Sequence, residues 1–534
     1  MLKSIEAALA KLSRKRLLCC VLVTVACVAL RLAILPLDPK PEPTITDEFS
    51  YIFGAETLAS GRLATPTHAM WRFFETYHIN MQPAYVSKYP PGQAAFLALG
   101  IRIFGHPWYG VLMGVALMCG CICWMLQGWL APKYALLGGL LAVLQFGAAH
   151  RWMDGYWGGA VAAIGGALVF GALPRIARSG TVSGACAAAL GTAILANSRP
   201  VEGLAFVLLA FAALLWWTRG RRATWFRAGT VSAFAAIVLL NIGWMAYYNF
   251  RTTGSPMTFA YSVNQQRYAA SPLFWFLPPD PPRVREYRDA STRTFWESYD
   301  VENYTGVHHN PLYELVRLYN ALHELVGAGA GLTLLYLVVC AFPLVNVPRP
   351  RLVLVIIGLF FCAAMLDKYV YSHYLAPGLG ALFVAAMLGL RFLRCYRSGI
   401  RRPGLALAAS LVVMTCVLFV FDNSISIFNR AHRSDSGTAV GFRRRVAARL
   451  QIEPGRHLVL VRYAPGHNIH DEIIWNSPDI DAQKVVWAFD FGPNTDRPLL
   501  DYYRGRKVWR VEPDGANPIL EPYSDLQAPA VQAR

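Results

Sequence analysis

The sequence predicts an α-helical polytopic membrane protein with a small C-terminal α/β domain, and three observations predict it. Of 534 residues, 55% are hydrophobic and 15% charged, and the apolar ones come in blocks of about twenty, the length that crosses a hydrocarbon core of about 30 Å. Basic residues cluster in the turns between blocks, as cytoplasmic loops are marked. After residue 421 the composition becomes that of a water-soluble domain.

The first block, 17–35, follows Lys11, Arg14, Lys15 and Arg16, which hold its N-terminus in the cytoplasm. Its first half resembles a signal peptide, yet no clean small-residue cleavage pattern follows and many apolar blocks come after. It reads as the first membrane helix. Its exit puts the loop 36–107 outside the cytoplasm. Pro90 and Pro91 end the polar part of that loop, and the apolar run 92–104 is too short to cross at about 1.5 Å per residue. It reads as a half-embedded outer helix. Spans are expected at 108–130, 134–149, 157–173, 182–196, 201–217 and 229–248. Lys133, then Arg175 and Arg178, then Arg219, Arg221, Arg222 and Arg227 fall on one side; 150–156, 197–200 and the segment after Asn249 fall on the other.

The proline- and aromatic-rich segment 249–320 reads as a second large outer loop. Spans at 321–344, 351–366, 371–390 and 405–421, with a basic inner stretch at 391–402, bring the total to about eleven plus the half-span. The transmembrane domain is therefore expected over 1–421. Beyond it, 457–463, 484–489 and 507–511 are short β-branched runs between turn residues, which places an extracytoplasmic α/β domain over 422–534.

The net charge of +18 is accounted for by topology, with anionic membrane lipid as its counter-charge, and makes no case for a nucleic-acid partner. The eleven cysteines lie in apolar segments or beside Lys and Arg, with neither a disulfide framework nor zinc spacing. His467, His470, Asp471 and Glu472 form the most polar cluster of the C-terminal domain; lacking a complete ligand spacing, they read as a solvated loop. Gly155, Gly158, Gly159, Gly165 and Gly166 read as close helix packing. Trp71, Phe73, Phe74, Tyr77, Tyr85 and Tyr89 of the first outer loop suit an interfacial belt, or stacking on sugar faces.

The chemistry-bearing stretch runs from Thr46 to Gly92. Thr44 and Thr46 can cap a helix whose first turn carries Asp47 and Glu48, with Tyr51 one turn on. Adjacent helical residues differ by about 100°, so the two acids cannot face one partner alike. On the topology above, Asp47, Glu48, Lys88, Asp154, Arg199, Glu202, Asp367, Lys368 and His373 all belong to outer loops or outer helix ends. Ionisable groups at the hydrocarbon boundary are costly unless paired or used, so their convergence on one site is expected. The plainer reading is of solvated charges and snorkelling anchors.

Asp47-Glu48-x-x-Tyr51 opening the first outer loop, Lys88-Tyr89-Pro90-Pro91-Gly92 closing it, Arg151-Trp152-Met153-Asp154 in a second outer loop and His373-Tyr374-Leu375-Ala376-Pro377 before a late span occur in that order. This pattern resembles the membrane glycosyltransferases of the C type, above all the aminoarabinose transferases that modify lipid A and the protein O-mannosyltransferases. The resemblance covers about the first four hundred residues. The late motif usually reads Arg-Tyr; here His373 stands in place of the arginine.

The resemblance implies a polyprenyl-phosphate sugar as donor and an extracytoplasmic cell-envelope acceptor, whether lipid, polysaccharide or protein. It implies Asp47 as general base for an inverting transfer. Asp154 follows as an acceptor-orienting or base-sharing residue, and Glu48 as a group that holds a cation or a sugar hydroxyl. Lys88, Arg199 and His373 are expected on the donor phosphate, and Tyr51, Tyr89, Glu202 and Lys368 on substrate. No cofactor is implied; a divalent metal, used by oligosaccharyltransferase relatives, is not required by the nearer groups. A bacterial inner membrane, with site and C-terminal domain on the periplasmic face, is the expected location. Two other classes fit the same pattern, a transporter or lipid flippase and a scaffold working through its C-terminal domain.

Overall fold

A computed structural model describes residues 11–219, 227–279, 281, 283–327, 336–397, 402–432, 438–468, 470–514 and 518–523. Arg221, Arg222 and parts of the expected span 321–344 and of the basic stretch 391–402 lie outside the described residues.

The chain is a multi-pass membrane protein. Among the described residues, seven helices are long and apolar enough to cross a bilayer: Arg16–Ile34, Trp108–Trp129, Gly159–Ser179, Pro200–Thr218, Ala228–Thr253, Ala376–Cys395 and Pro403–Arg430. Each answers to one of the expected spans. The other four expected spans meet shorter helices, of which Val182–Ala196 has the expected bounds. Pro132–Phe146 and Val182–Ala196 have 15 residues each, about 22 Å of helix, and Pro348–Ala364 has 17. Their ends are set by local chemistry: a proline opens the first and third, and the Thr181 hydroxyl caps the second by accepting from Gly184 N. In the region of 321–344 the helix Pro311–Val326 ends and the short helix Tyr336–Asn346 lies beyond it.

Small residues let the bundle close. The helix Gly159–Ser179 is buried along nearly its whole length, and a Cβ at Gly165 would stand 2.9 Å from the Gly191 carbonyl oxygen. At Gly166 a Cβ would collide with the backbone of Pro377, so glycine is what lets this helix lie against the segment that carries His373 and Tyr374.

The final membrane helix does not stop at 421, where hydropathy falls, but runs Pro403–Ala431. Its polar C-terminal end is satisfied by neighbours: Asn423 Nδ2 donates to Leu144 O (3.1 Å) and Asn423 Oδ1 accepts from Ala149 N (2.9 Å).

Outside the bundle, the helix Thr46–Ala59 is followed by a small antiparallel sheet in which Ala84–Ser87 lies between Thr65–Pro66 and Ile79–Asn80. The C-terminal sheet has the order Val485–Phe489, His457–Val461, Lys507–Glu512, Ile519–Pro522; the first three are parallel and the last is antiparallel. Side chains alternate along its central strand. Val459 and Val461 pack under the helix Ala439–Ile452, whereas Leu458 and Leu460 join a core with Phe53, Phe73, Phe74, Ile79 and Tyr85 of the first outer loop.

Phe73, Phe74 and Tyr85 are thus neither an interfacial belt nor a sugar platform. They are the joint between the C-terminal domain and the first outer loop. The His467–Glu472 cluster is likewise not simply solvated: Arg288, from the second outer loop, reaches Glu472 at 2.7 Å with both side chains about 1% exposed.

Candidate active site

A cavity of about 720 Å³ lies between the first outer loop, the turn around 151–157, the segment 261–303, the helix Pro311–Val326 and the segment 369–374. Its floor is organised by the start of the helix Thr46–Ala59. Ile45 is extended, so the helix begins abruptly and the Asp47 carboxylate sits in its first turn, where the helix dipole favours a negative charge. Asp47 faces the cavity, accepts a hydrogen bond from the Tyr89 hydroxyl, and has His78 Nε2 at 3.5 Å.

Glu48 turns the other way. Its carboxylate accepts from Thr44 N (2.7 Å), Thr44 Oγ1 (3.2 Å) and Tyr156 N (2.9 Å), which fastens this helix to the turn at 150–157. Tyr51 stacks on Tyr89 with centroids 4.4 Å apart, fixing the ring whose hydroxyl holds Asp47. His78 adopts φ 62°, a left-handed conformation disfavoured for a residue with a side chain. It is held there because its carbonyl accepts from Ser50 Oγ (2.6 Å) and Lys88 N (3.0 Å).

Burial pushes the Asp47 carboxyl up, but the neighbouring His78, the Lys88 ammonium, the Tyr89 hydrogen bond and Arg199 outweigh it, so the group lies below its ordinary value and is ionised at neutral pH. Burial, with Lys88 nearby, takes His78 down to about 3 against the opposing pull of Asp47. His78 is therefore neutral at pH 7, and the cation that matters beside Asp47 is Lys88. Burial lowers Lys88 to about 8 in spite of Asp47 and Asp300.

The Lys88 ammonium makes no hydrogen bond or ion pair with another described residue; it lies 5.1 Å from the ring centroids of both Tyr89 and Tyr261 and 6.0 Å from that of Trp296. Arg199 resembles it. Its guanidinium lies 4.5 Å from the Tyr374 ring centroid, and its buried Nε has no hydrogen-bond partner among the described residues.

Gly92 brings the two cations together. Its amide donates to Asn197 O at 2.6 Å, and a Cβ there would stand 2.6 Å from that same oxygen. Only glycine lets the end of the first outer loop lie on the turn before Arg199.

A second cavity of about 210 Å³ adjoins the first, with Pro90, Pro91, Ala196, Val201, Met245 and Phe259 among its lining residues, as well as Glu202 and Asp367. The two share Lys88, Tyr89, Arg199, Tyr261 and Tyr374. The unpaired cations therefore stand where a polar chamber meets a more apolar one.

Of the residues singled out from the sequence, Asp47, Lys88, Tyr89, Arg199 and His373 come together on the large cavity, and Glu202 on the small one. His373 packs on Trp157 at 4.6 Å, and burial with Arg199 and Arg151 nearby holds it well below the ordinary histidine value. It is a neutral hydrogen-bonding group, not a phosphate-binding cation.

Four others lie away from the cavity walls because their charges or rings are used elsewhere. Glu48 and Tyr51 support Asp47 from behind. Asp154 bonds Arg31 (3.1 Å) and Arg430 (2.9 Å), and Asp38 holds the same two arginines at 3.4 and 2.9 Å. Lys368, fully buried, pairs with Asp300 at 2.6 Å and donates to Ser271 O and Oγ at 3.1 and 3.0 Å. Asp300 lines the cavity, but its oxygens are taken up by Lys368, the Tyr369 hydroxyl and Ser271 N and Oγ.

His78, Tyr261, Trp296 and Asp300 line the cavity without having been picked out. The only sequence signal for the last three was the aromatic, polar character of 249–320.

No family model and no curated protein matches the chain. Solved structures do. ArnT from Cupriavidus metallidurans, crystallised with undecaprenyl phosphate, superposes with a TM-score of 0.53 at 13% identity, covering 92% of both chains. An oligosaccharyltransferase of Archaeoglobus fulgidus with zinc and sulfate gives 0.47 at 10% identity, over 92% of this chain and 67% of that one. The same archaeon's AglB, bound to an inhibitory peptide and a dolichol-phosphate, gives 0.44 at 9% over 93% and 69%. The ArnT match shows that the chain shares the fold of that protein over nearly its whole length.

Proposed function

We propose that the chain transfers a sugar from a polyprenyl-phosphate donor to an extracytoplasmic hydroxyl. One observation carries this reading: an ionised carboxylate near two cations that make no ion pair with a described carboxylate, set where a polar cavity meets a more apolar one. A phosphate with a sugar on one side and a hydrocarbon chain on the other is matched by that arrangement. The undecaprenyl phosphate in the ArnT crystal supports the same class of donor.

In this mechanism the donor phosphate rests between Lys88 and Arg199, its polyprenyl chain leaves through the apolar cavity, and the sugar lies in the large one. Asp47 takes the proton of the acceptor hydroxyl as that oxygen attacks the anomeric carbon. The C–O bond to phosphate breaks, its electron pair stays on the phosphate, and the two cations steady the growing charge. A single displacement inverts the anomeric centre. Tyr89, held by Tyr51, keeps the carboxylate aimed. His373 is left to hydrogen-bond sugar or acceptor, while Glu202 borders the lipid passage. The setting is an inner membrane with the cavity facing the periplasm, and the acceptor is a cell-envelope lipid, polysaccharide or protein.

The test is transfer from a pool of synthetic polyprenyl-phosphate sugars to membrane extracts by purified protein, with Asp47→Asn alongside. Removing a general base is expected to slow transfer by about 10²–10⁴-fold with donor binding retained. Equal rates would move the base elsewhere; no transfer by wild type across the pool would favour a translocator over a transferase.

A further inference from the structure

We propose that the C-terminal domain completes the acceptor side of the large cavity through His470, building a subsite for a saccharide. The assignment rests on the transfer reading above and names the acceptor class that reading leaves open.

Within 422–534, His470 is the one described residue that lines the cavity. Its ring stands edge-on to Tyr299 at 5.4 Å and to Phe295 at 6.5 Å, and the imidazole nitrogens bond to no other described residue. Asn320 and His323 also line this cavity. They are three residues apart on the helix Pro311–Val326 and so share a face. Their side-chain polar groups are likewise uncommitted among the described residues. An amide and two imidazoles, all lining one cavity with the rings of Phe295 and Tyr299, are therefore presented to whatever enters.

The seat of His470 is built independently of any ligand. Two residues on, Glu472 accepts from Arg288 Nη2 (2.7 Å), from Ile474 N (2.7 Å) and from the Tyr463 hydroxyl. On the other side, His467 Nδ1 and Asp514 Oδ1 are 2.7 Å apart. A buried, fully engaged carboxylate of this kind fixes the segment against the second outer loop, because parting the pair would leave a charge without water or partner.

The chemistry selects the occupant. A sugar ring lays an apolar C–H face on an aromatic plane and carries hydroxyls around its edge, each both donor and acceptor. Amides and imidazoles meet hydroxyls in both capacities. An acyl chain would leave all three polar side chains unsatisfied. A peptide bound through its backbone would call on sheet edges or paired main-chain groups, whereas these walls are side chains. The volume of about 720 Å³ lies inside the range of about 300–1,000 Å³ usual for small-molecule sites.

The experiment uses the intact protein in a detergent without a sugar headgroup, with no donor present. Maltotriose, mannotriose, chitotriose and a serine-containing tripeptide are the probes, read by saturation-transfer NMR and by tryptophan fluorescence. At least one trisaccharide is expected to bind saturably. His470→Ala should weaken it about tenfold, the loss of a hydrogen bond and a ring contact, and His470→Gln should recover most of that loss. Binding of polyprenyl phosphate should stay unchanged in both variants. Trisaccharide binding that ignores His470→Ala overturns the proposal, as does binding of the tripeptide alone or no saturable binding by any probe. Failure of the transfer reading shows up separately, as absent polyprenyl-phosphate binding in the wild type or as transfer indifferent to Asp47→Asn.

Discussion

The low value of Lys88 gives the proposed chemistry an alkaline limit that can be calculated. The ammonium is taken from an ordinary 10.5 down to about 8 by burial. A cation that binds phosphate works only while protonated, so donor capture is complete below about pH 7 and falls as pH rises through about 8. At pH 9 about one-tenth of Lys88 remains charged, whereas an arginine at the same place stays fully charged. Because an anionic donor raises the value of the lysine it touches, the limb belongs near 8 in kcat/KM, which reports the free enzyme, and higher in kcat. Lys88→Arg should abolish the limb, so the ratio of variant to wild-type kcat/KM grows about tenfold between pH 7 and 9. The assay is initial-rate transfer from one radiolabelled polyprenyl-phosphate sugar at subsaturating donor, in matched-ionic-strength buffers. A wild-type profile flat to pH 9, or the same limb in Lys88→Arg, would refute the assignment of Lys88 to the phosphate.

Gly92→Ala sets a Cβ 2.6 Å from the Asn197 carbonyl oxygen; the strain of about 1–3 kcal/mol should part Lys88 from Arg199, raising donor KM with kcat retained in steady-state titrations. Asp154→Asn removes one carboxylate from a set in which Asp38 still holds both arginines, so the loss sits at the lower end of a broken buried pair, about 3 kcal/mol. Differential scanning fluorimetry should show a lower Tm, while kcat at a permissive temperature is unchanged; a collapse of kcat in a protein of normal Tm would return Asp154 to the chemistry.

The membrane helices were legible because apolar blocks and basic turns are local signals. The helix Val182–Ala196 has the expected bounds and Pro132–Phe146 lies within three residues of them; a cap and a proline, which composition averages hide, decide where each begins. Asp47, Lys88, Arg199 and His373 could be placed on one and the same face of the bundle, since relative sidedness follows from counting spans. Whether a charge is free or spent could not be read. Glu48 is one residue from Asp47 and has every oxygen engaged; Asp154 and Lys368 meet partners more than sixty residues away, Arg31, Arg430 and Asp300. Phe73 and Tyr85 carried the same ambiguity, for an aromatic in an outer loop suits lipid, sugar or another domain equally well until its neighbour is known.

The four-membered ring of Arg31, Asp38, Asp154 and Arg430 reaches further than its local contacts. It clasps the first membrane helix to the last, on the turn that also holds Glu48, so the two extremities of the bundle are buckled together a few residues before the chain leaves for its C-terminal domain. Where one cuts therefore matters. A chain shortened to residue 421 would lose Arg430 and leave the buckle open, and the damage would be mistaken for a requirement for the domain itself. Severed after 432, the bundle keeps its clasp, and what is lost is the domain with the core it shares with Phe53, Phe73 and Tyr85.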